Sequence, residues 1–399
     1  MKELKDVQSP ATSDSWSAVI YLDNNATTRP APEVVQAMLP YLTTWYGNPS
    51  SVHRFGQRAR QAVEAARAQV ASLIGARESE ITFTSGGTES INTAIRGLLA
   101  ARWPRRKIVT SAVEHSATRA VCEQLARESA EIVEIPVDRA GRLDMERLKS
   151  AVDDNTALVS IMWANNETGV IMPVSEIADV CRDRGVPFHC DAVQAAGKIP
   201  VDVRRVEVDV LSIAAHKFHG PKGIGALYIR RGTRFAPLVL GGPQENQRRG
   251  GTENVPGIVG MGAAAELAAG ALGEMKRVAA LRDRLEEGIL QSIPDAHVNG
   301  AGAERLPNTT NIGFAALEAD AILLLLSERG VCASAGSACS SGSLEPSHVL
   351  RAMGIDERIA HGAVRFSLSR YTTGDDVNAA LEILRGVIPR LRALLPAMP

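Results

Sequence analysis

Between Gln57 and Ile74 the apolar positions Ala59, Val63, Ala66, Val70 and Leu73 recur at helical spacing and stop at Gly75, which predicts an amphipathic helix with one buried stripe. Before it, Val19-Ile-Tyr-Leu predicts a short strand. Pro30 and Pro32 open a helix over Glu33 to Leu42 that ends ahead of the turn-rich Tyr46-Gly-Asn-Pro-Ser-Ser. From Ile81 the pattern changes to short β-rich runs: Ile81-Thr-Phe-Thr, Lys107-Ile-Val-Thr, Ile132-Val-Glu-Ile, Ala157-Leu-Val-Ser-Ile-Met-Trp, Pro187-Phe-His-Cys and Val208-Asp-Val-Leu-Ser-Ile. Helical segments separate most of them. That alternation predicts an α/β unit with a largely parallel sheet covered by helices, and a site at the carboxyl ends of the strands. The Ala-rich Ile258 to Leu272 and the charged Gly273 to Ser292 predict a long helical passage out of this unit. The last third, with the strand Thr310-Asn-Ile-Gly-Phe and helices Ala319 to Glu328 and Asp375 to Leu395, predicts a smaller α+β unit.

A chain of 399 residues exceeds one compact core, in keeping with two domains. Its 45% hydrophobic and 22% charged residues are those of a globular protein, and a net charge of -1 argues against nucleic acid as the main partner. Of two basic clusters, Arg102 to Lys107 reads as solvated surface, and the other is Arg248-Arg249. Met1 to Trp16 lacks the apolar core of a signal peptide, and the longest apolar run, Ala321 to Leu326, is too short to span a bilayer. A cytoplasmic protein without membrane contact is expected. Five cysteines, none in a Cys-x-x-Cys pair, point to reduced thiols and to no metal site.

Against this background Leu211 to Gly225 stands out. An apolar strand ends in Ala214-Ala215-His216-Lys217, then turns through Gly220-Pro221 and Gly223 into Ala226-Leu-Tyr-Ile. A lysine at the mouth of a sheet, among small residues, is a candidate for imine chemistry and equally for a surface position in a hairpin. Ile81 to Ser90 reads strand, glycine turn, helix start. It aims backbone N–H groups and the positive helix end at one spot that fits a phosphate, with Thr88 adding a hydroxyl, although a capped helix has the same pattern. Asp191 follows a buried strand, where a carboxylate needs a cation, and a protonated pyridine nitrogen would be one. Asn165-Asn166-Glu167-Thr168-Gly169 and Glu114-His115 follow two further strands, so polar strand ends converge on the edge that carries Lys217. Finally, Val331 to Ser343 is almost wholly small residues. Cys339 in such a loop suits a nucleophile that must travel, whereas Cys332 beside Val331 is expected to be a buried spacer.

Together these segments resemble the cysteine desulfurases of the NifS and IscS type, in the class V aminotransferase family of fold type I pyridoxal-phosphate enzymes. The motifs are Tyr21-Leu-Asp-Asn-Asn-Ala-Thr-Thr, Gly47-Asn-Pro-Ser-Ser-Val-His-Arg-Phe-Gly, Phe83-Thr-Ser-Gly-Gly-Thr-Glu-Ser, Asn165-Asn-Glu-Thr-Gly, Asp191-Ala-Val-Gln, Ala215-His-Lys-Phe-His-Gly-Pro-Lys-Gly, Arg248-Arg-Gly-Gly-Thr-Glu-Asn and Gly336-Ser-Ala-Cys-Ser-Ser-Gly. They run from Tyr21 to Arg365-Phe-Ser-Leu-Ser-Arg. The resemblance implies an aspartate aminotransferase-like fold, with a large domain over 27–272 built on a mostly parallel seven-stranded sheet. Residues 1–26 and 273–399 would form a smaller α+β domain carrying the mobile Cys339 loop.

The resemblance also implies roles. Lys217 would carry pyridoxal 5'-phosphate and shuttle protons, Asp191 would pair with the pyridinium nitrogen, and His115 would stack on the ring. Gln194 and Asn166 would lie near the phenolic oxygen. Gly87, Thr88 and His216 would hold the phosphate, completed by Thr252 of a second subunit in a homodimer. Arg365, with Asn166, would bind the substrate carboxylate. L-cysteine would become L-alanine, its sulfur passing to Cys339 as a persulfide and on to an acceptor such as an iron–sulfur scaffold protein or a thiolation system. Family members commonly carry a serine where this chain has Ala214; the missing hydroxyl is expected to weaken phosphate binding by about 1 kcal/mol. A transaminase has no need of Cys339 in a small-residue loop, and a non-catalytic binding module has no need of Lys217, Asp191 and Cys339 together. Selenocysteine lyase is the nearest alternative activity.

Overall fold

The computed structural model describes residues 19–335 and 345–394. The predicted segment carrying Cys339 lies outside the described residues. The chain enters through β1 (Ile20–Tyr21), α1 (Pro32–Thr43) and α2 (Arg54–Leu73). There follow β2 (Ile81–Thr84), α3 (Gly87–Ala101), β3 (Lys107–Ser111), α4 (Ser116–Arg127), β4 (Glu131–Ile135), α5 (Met145–Ala151), β5 (Thr156–Met162), α6 (Val174–Asp183), β6 (Phe188–Asp191), β7 (Val210–Ala214) and β8 (Gly225–Ile229).

These strands form one seven-stranded sheet in the order β2-β8-β7-β6-β5-β3-β4. The run from β7 to β4 is parallel throughout. β8 is antiparallel to both β7 and β2, because a hairpin through Gly220–Gly223 reverses the chain directly after Lys217. Every residue of β5 is buried, which is why it reads as one continuous apolar run rather than an alternation. All five apolar positions of the predicted stripe on α2 are buried. Gly225 is required by close approach: any Cβ there would lie 2.7 Å from the carbonyl carbon of Gly86, so β8 could not pass beneath the glycine turn.

The predicted helical passage is two helices, α7 (Val255–Gly270) and α8 (Met275–Ser292), bent by 53°. Gly270 and Gly273 flank the break and weaken helix propensity on both sides of it. No single helix among the described residues is long and apolar enough to cross a membrane.

Beyond lie β9 (Ala296–Val298), β10 (Thr309–Phe314), α9 (Ala319–Glu328), β11 (Val331–Cys332), β12 (Ser334–Ala335), α10 (His348–Ala352), α11 (Glu357–Ala360), β13 (Ala363–Ser367) and α12 (Gly374–Leu394). An antiparallel sheet β12-β13-β10-β9 is joined by a separate parallel pair, β1 with β11. Ile20 and Leu22 from the chain's beginning share a core with Phe314, Leu326, Phe366 and Leu384. Two expectations need correction. Cys332 is half-buried, since Val331 takes the interior place on β11. Lys107 is 7% exposed rather than solvated, because it opens β3 and its ammonium sits 2.5 Å from Asp153 Oδ2.

Candidate active site

Where β5, β6 and β7 end, a cavity of about 210 Å³ is lined by Gly87, Thr88, His115, Asn166, Asp191, Gln194, Ala214, His216 and Lys217. Nearly the whole predicted constellation therefore meets in one place. Each side chain is delivered by a strand end or the turn that follows it, the position at which open parallel sheets place ligands.

Lys217 ends the turn after β7, and its Nζ donates to the backbone oxygens of Asn25, at 2.5 Å, and Ala26, at 2.9 Å. The loop after β1 is clamped onto that turn. Thr28 N and Oγ1 donate to His216 O, Thr28 Oγ1 accepts from His219 N, and His216 Nδ1 lies 3.2 Å from Thr27 Oγ1. Asn25 N in turn donates to Ser367 Oγ on β13. The lysine is thus braced by a loop that is itself anchored in the second sheet.

Asp191 is 6% exposed, and among the described residues its carboxylate accepts one hydrogen bond, from Val193 N to Oδ1 at 2.9 Å. Burial raises its pKa, opposed by His115 and Lys217. Burial likewise lowers the pKa of His115, and Lys217 lowers it further while Asp191 pulls it up. His115 caps α4: its Nδ1 accepts from Ala117 N at 3.1 Å, which leaves the ring proton on Nε2. Beside it, Glu114 accepts from Ser111 Oγ and Met162 N through Oε1, while its buried Oε2 has no partner among the described residues. Burial, added to by the Asp191 charge, pushes the Glu114 carboxyl up to about 8, so it is largely a neutral acid at pH 7. His216 is held neutral, its pKa pushed down to about 4 by burial and by Lys217, Lys222 and Lys198.

The residues present fit pyridoxal phosphate. No side chain caps the first turn of α3, so its backbone N–H groups face the cavity side of Gly87 and Thr88 without a competing acceptor from a cap. A Cβ at Gly87 would come within 3.0 Å of Val193 Cγ2, so glycine keeps the space against that helix end open. At the opposite side stands a buried carboxylate with one hydrogen bond and room for a cationic partner.

Three predicted residues are not gathered here. Thr252 is exposed and does not line the cavity of its own chain. Arg365 is 2% exposed: one guanidinium nitrogen lies 2.8 Å from Asp23 Oδ1, another donates to Asn166 O at 3.0 Å, and its buried Nε has no partner among the described residues. It stands behind Asn166 rather than in the open cavity. Cys339 lies outside the described residues. Conversely, sequence reasoning passed over Asn25 and Lys198. The signals were Asn25 within the Asp23-to-Thr28 motif and the four-residue spacing from Gln194 to Lys198.

A parallel-sheet α/β scaffold with a lysine and a buried aspartate facing an uncapped helix N-terminus defines the class, and the chain matches the aminotransferase class-V family over residues 20–380. It is 55% identical over 379 residues to cysteine desulfurase 2 of Trichormus variabilis, with 95% of each chain covered. It is 56% identical over 378 residues to the cysteine desulfurase of Enterobacter agglomerans, with 94% of each covered. A solved NifS-like protein superposes with a TM-score of 0.88 at 39% identity, covering 94% of this chain and 100% of that one. The chain belongs to the class-V aminotransferases. Within them it is a cysteine desulfurase of the NifS/IscS type and depends on pyridoxal 5'-phosphate.

Proposed function

We propose that Lys217 and Asp191 anchor the cofactor at its two ends of reactivity, and that Cys339 receives the sulfur of L-cysteine. The observation that carries the cofactor's placement is the convergence of Lys217 and Asp191 with the α3 N-terminus on one cavity, and the role of Cys339 is supported by the likeness to cysteine desulfurases. When bound, pyridoxal 5'-phosphate supplies an aldehyde that captures amines and a protonated ring that draws electrons from the captured carbon. Asp191 would pair with the ring nitrogen and keep it protonated. His115, with its proton on Nε2, would cover the ring face. Gln194 and Asn166 would address the phenolic oxygen, and the α3 N-terminus, Thr88 and His216 would hold the phosphate.

Lys217 Nζ, at the cavity, would be the base that takes the proton from the substrate α-carbon and returns it. Arg365 turns donors from Asp23 towards the substrate carboxylate beside Asn166. Cys339 as thiolate attacks the substrate sulfur: an S–S bond forms, the Cβ–S bond breaks, and its electron pair stays with carbon, which takes up a proton to become the methyl group of alanine. A protein thiol of an acceptor, such as an iron–sulfur scaffold, then takes the persulfide sulfur.

The same reading makes the enzyme a cytoplasmic homodimer in which Thr252 reaches the partner's phosphate. Exposed Leu42, Tyr46, Val52 and Leu240, the last three at least three-quarters exposed, support an apolar face for the second copy. Of three apolar clusters among the described residues, the one that unites Ile20 and Leu22 with residues beyond Met275 supports a small domain drawn from 1–26 and 273–399 beside a large one over 27–272, while Val349, Leu350, Met353, Ala360 and Ala363 pack into the large domain's core.

The test is alanine and sulfide released from L-cysteine by purified protein with reductant, beside Cys339→Ser. Equimolar products from the parent, and a Cys339→Ser protein that keeps its cofactor yet yields neither product, are expected. Sulfide at the parental rate from the variant would remove Cys339 from this role.

A further inference from the structure

Lys198 is 7% exposed, lies four residues beyond Gln194 and does not line the cavity. Its Nζ donates to Gln194 Oε1 at 2.6 Å and to Asn25 Oδ1 at 3.0 Å. Both amides are also fixed from their other ends. Asn25 Nδ2 donates to Asn166 O and to Thr309 Oγ1, and Gln194 Nε2 donates to Asn25 O at 3.0 Å. A backbone oxygen only accepts, so turning either amide over would set oxygen against oxygen. The arrangement does not depend on the charge of Lys198, because ammonium and amine alike have two N–H groups to give. Burial, with the Lys217 and Arg365 charges, sets its pKa well below that of an ordinary lysine.

We propose that Lys198 is a positioning residue that locks the Gln194 amide so that an N–H, never the oxygen, is offered to the cavity. One hydrogen on Nε2 is engaged by Asn25 O, and the second remains for the cavity that Gln194 lines. A donor there favours a deprotonated phenolic oxygen on the cofactor, whereas an amide oxygen would repel it. The proposal rests on the assignment of Gln194 to that oxygen. It also explains a lysine buried at the cost of its charge: Gln194 Oε1 and Asn25 Oδ1 both need a donor, and one long, flexible stem supplies both.

The experiment compares Lys198→Met, Lys198→Arg and Gln194→Glu at one fixed pH. It reads the affinity of each apoenzyme for pyridoxal 5'-phosphate and the absorption spectrum of each loaded protein. Lys198→Met is expected to bind the cofactor about tenfold more weakly, the loss of one hydrogen bond from the Gln194 amide to the cofactor, and to lose visible absorbance to the near ultraviolet as the phenolic oxygen takes a proton. Lys198→Arg, which keeps two donors, is expected to restore most of the visible band. Parental affinity and spectrum in Lys198→Met overturn the proposal. Should that variant not accumulate as folded protein, Lys198→Gln, whose shorter stem cannot span both acceptors, reads the same quantities, and a parental spectrum overturns it equally. Gln194→Glu separates the two layers. A parental spectrum there overturns the placement of Gln194 itself, while a shifted one beside a parental Lys198→Met overturns the role of Lys198 alone.

Discussion

Two buried carboxylates stand at strand ends on either side of β5, Glu114 after β3 and Asp191 closing β6, and burial raises the pKa of both. Asp191 has His115 and Lys217 to favour its charge, while Glu114 has an orphaned oxygen and the Asp191 charge against it. The folded pKa of Glu114, about 8, lies above its unfolded value, so its contribution is fully present below about pH 4.5 and is lost as pH rises towards 8. Glu114→Gln, a neutral isostere, is therefore expected to gain on the parent by on the order of 1 kcal/mol per pH unit across that window, measured by denaturant unfolding. A difference that stays flat with pH would show Glu114 ionised in the folded protein. Lys217→Ala is expected to abolish the visible absorbance of the loaded enzyme and turnover with it; normal alanine release would remove Lys217 from the chemistry. Lys217 and Asp191 were legible in the sequence because each closes an apolar run. Lys198 and Asn25 were not, since their meaning arises only where Nζ and Oδ1 meet across 173 positions of chain.

Periodic elements were the legible ones. α2, β2, α9 and the strand sequence from β3 to β7 follow from apolar spacing alone, whereas β9, β11 and β12, two or three residues each, are too short to carry a period. The loop before Thr252 was also opaque. Glu245, Asn246 and Gln247 adopt φ of 47°, 56° and 63°, three successive left-handed residues without a glycine. What holds them is a buried ion pair: Arg67 on α2 grips Glu245 through both nitrogens, at 2.7 and 2.8 Å, and Glu245 also accepts from Phe83 N on β2. Arg67→Met leaves that carboxylate buried without its cation and is expected to cost about 3–5 kcal/mol in unfolding free energy. Adding Glu245→Leu should recover part of the loss, and a double variant no more stable than the single one would show that the pair is not the clamp.

At the scale of the whole molecule, the proposed homodimer would complete the catalytic arrangement through Thr252. Arg249 pairs with Glu89 on α3 while the loop it belongs to carries the exposed Thr252 away from its own cavity. Leu240→Glu is expected to shift the protein towards monomer by light scattering and to reduce turnover in step with dimer content. A monomer with full specific activity would show Thr252 to be dispensable across subunits. A large parallel-sheet unit followed by a smaller α+β unit in the last third was legible in the sequence, but the return of residues 20–22 to the distant core was not, because a four-residue apolar run names no partner.

That return has a consequence for folding. Asn25 hangs from Ser367 and Asp23 from Arg365, each across 342 positions of chain. The loop that braces Lys217 therefore carries a large loop-closure entropy cost and gains its support only when β13 is in place.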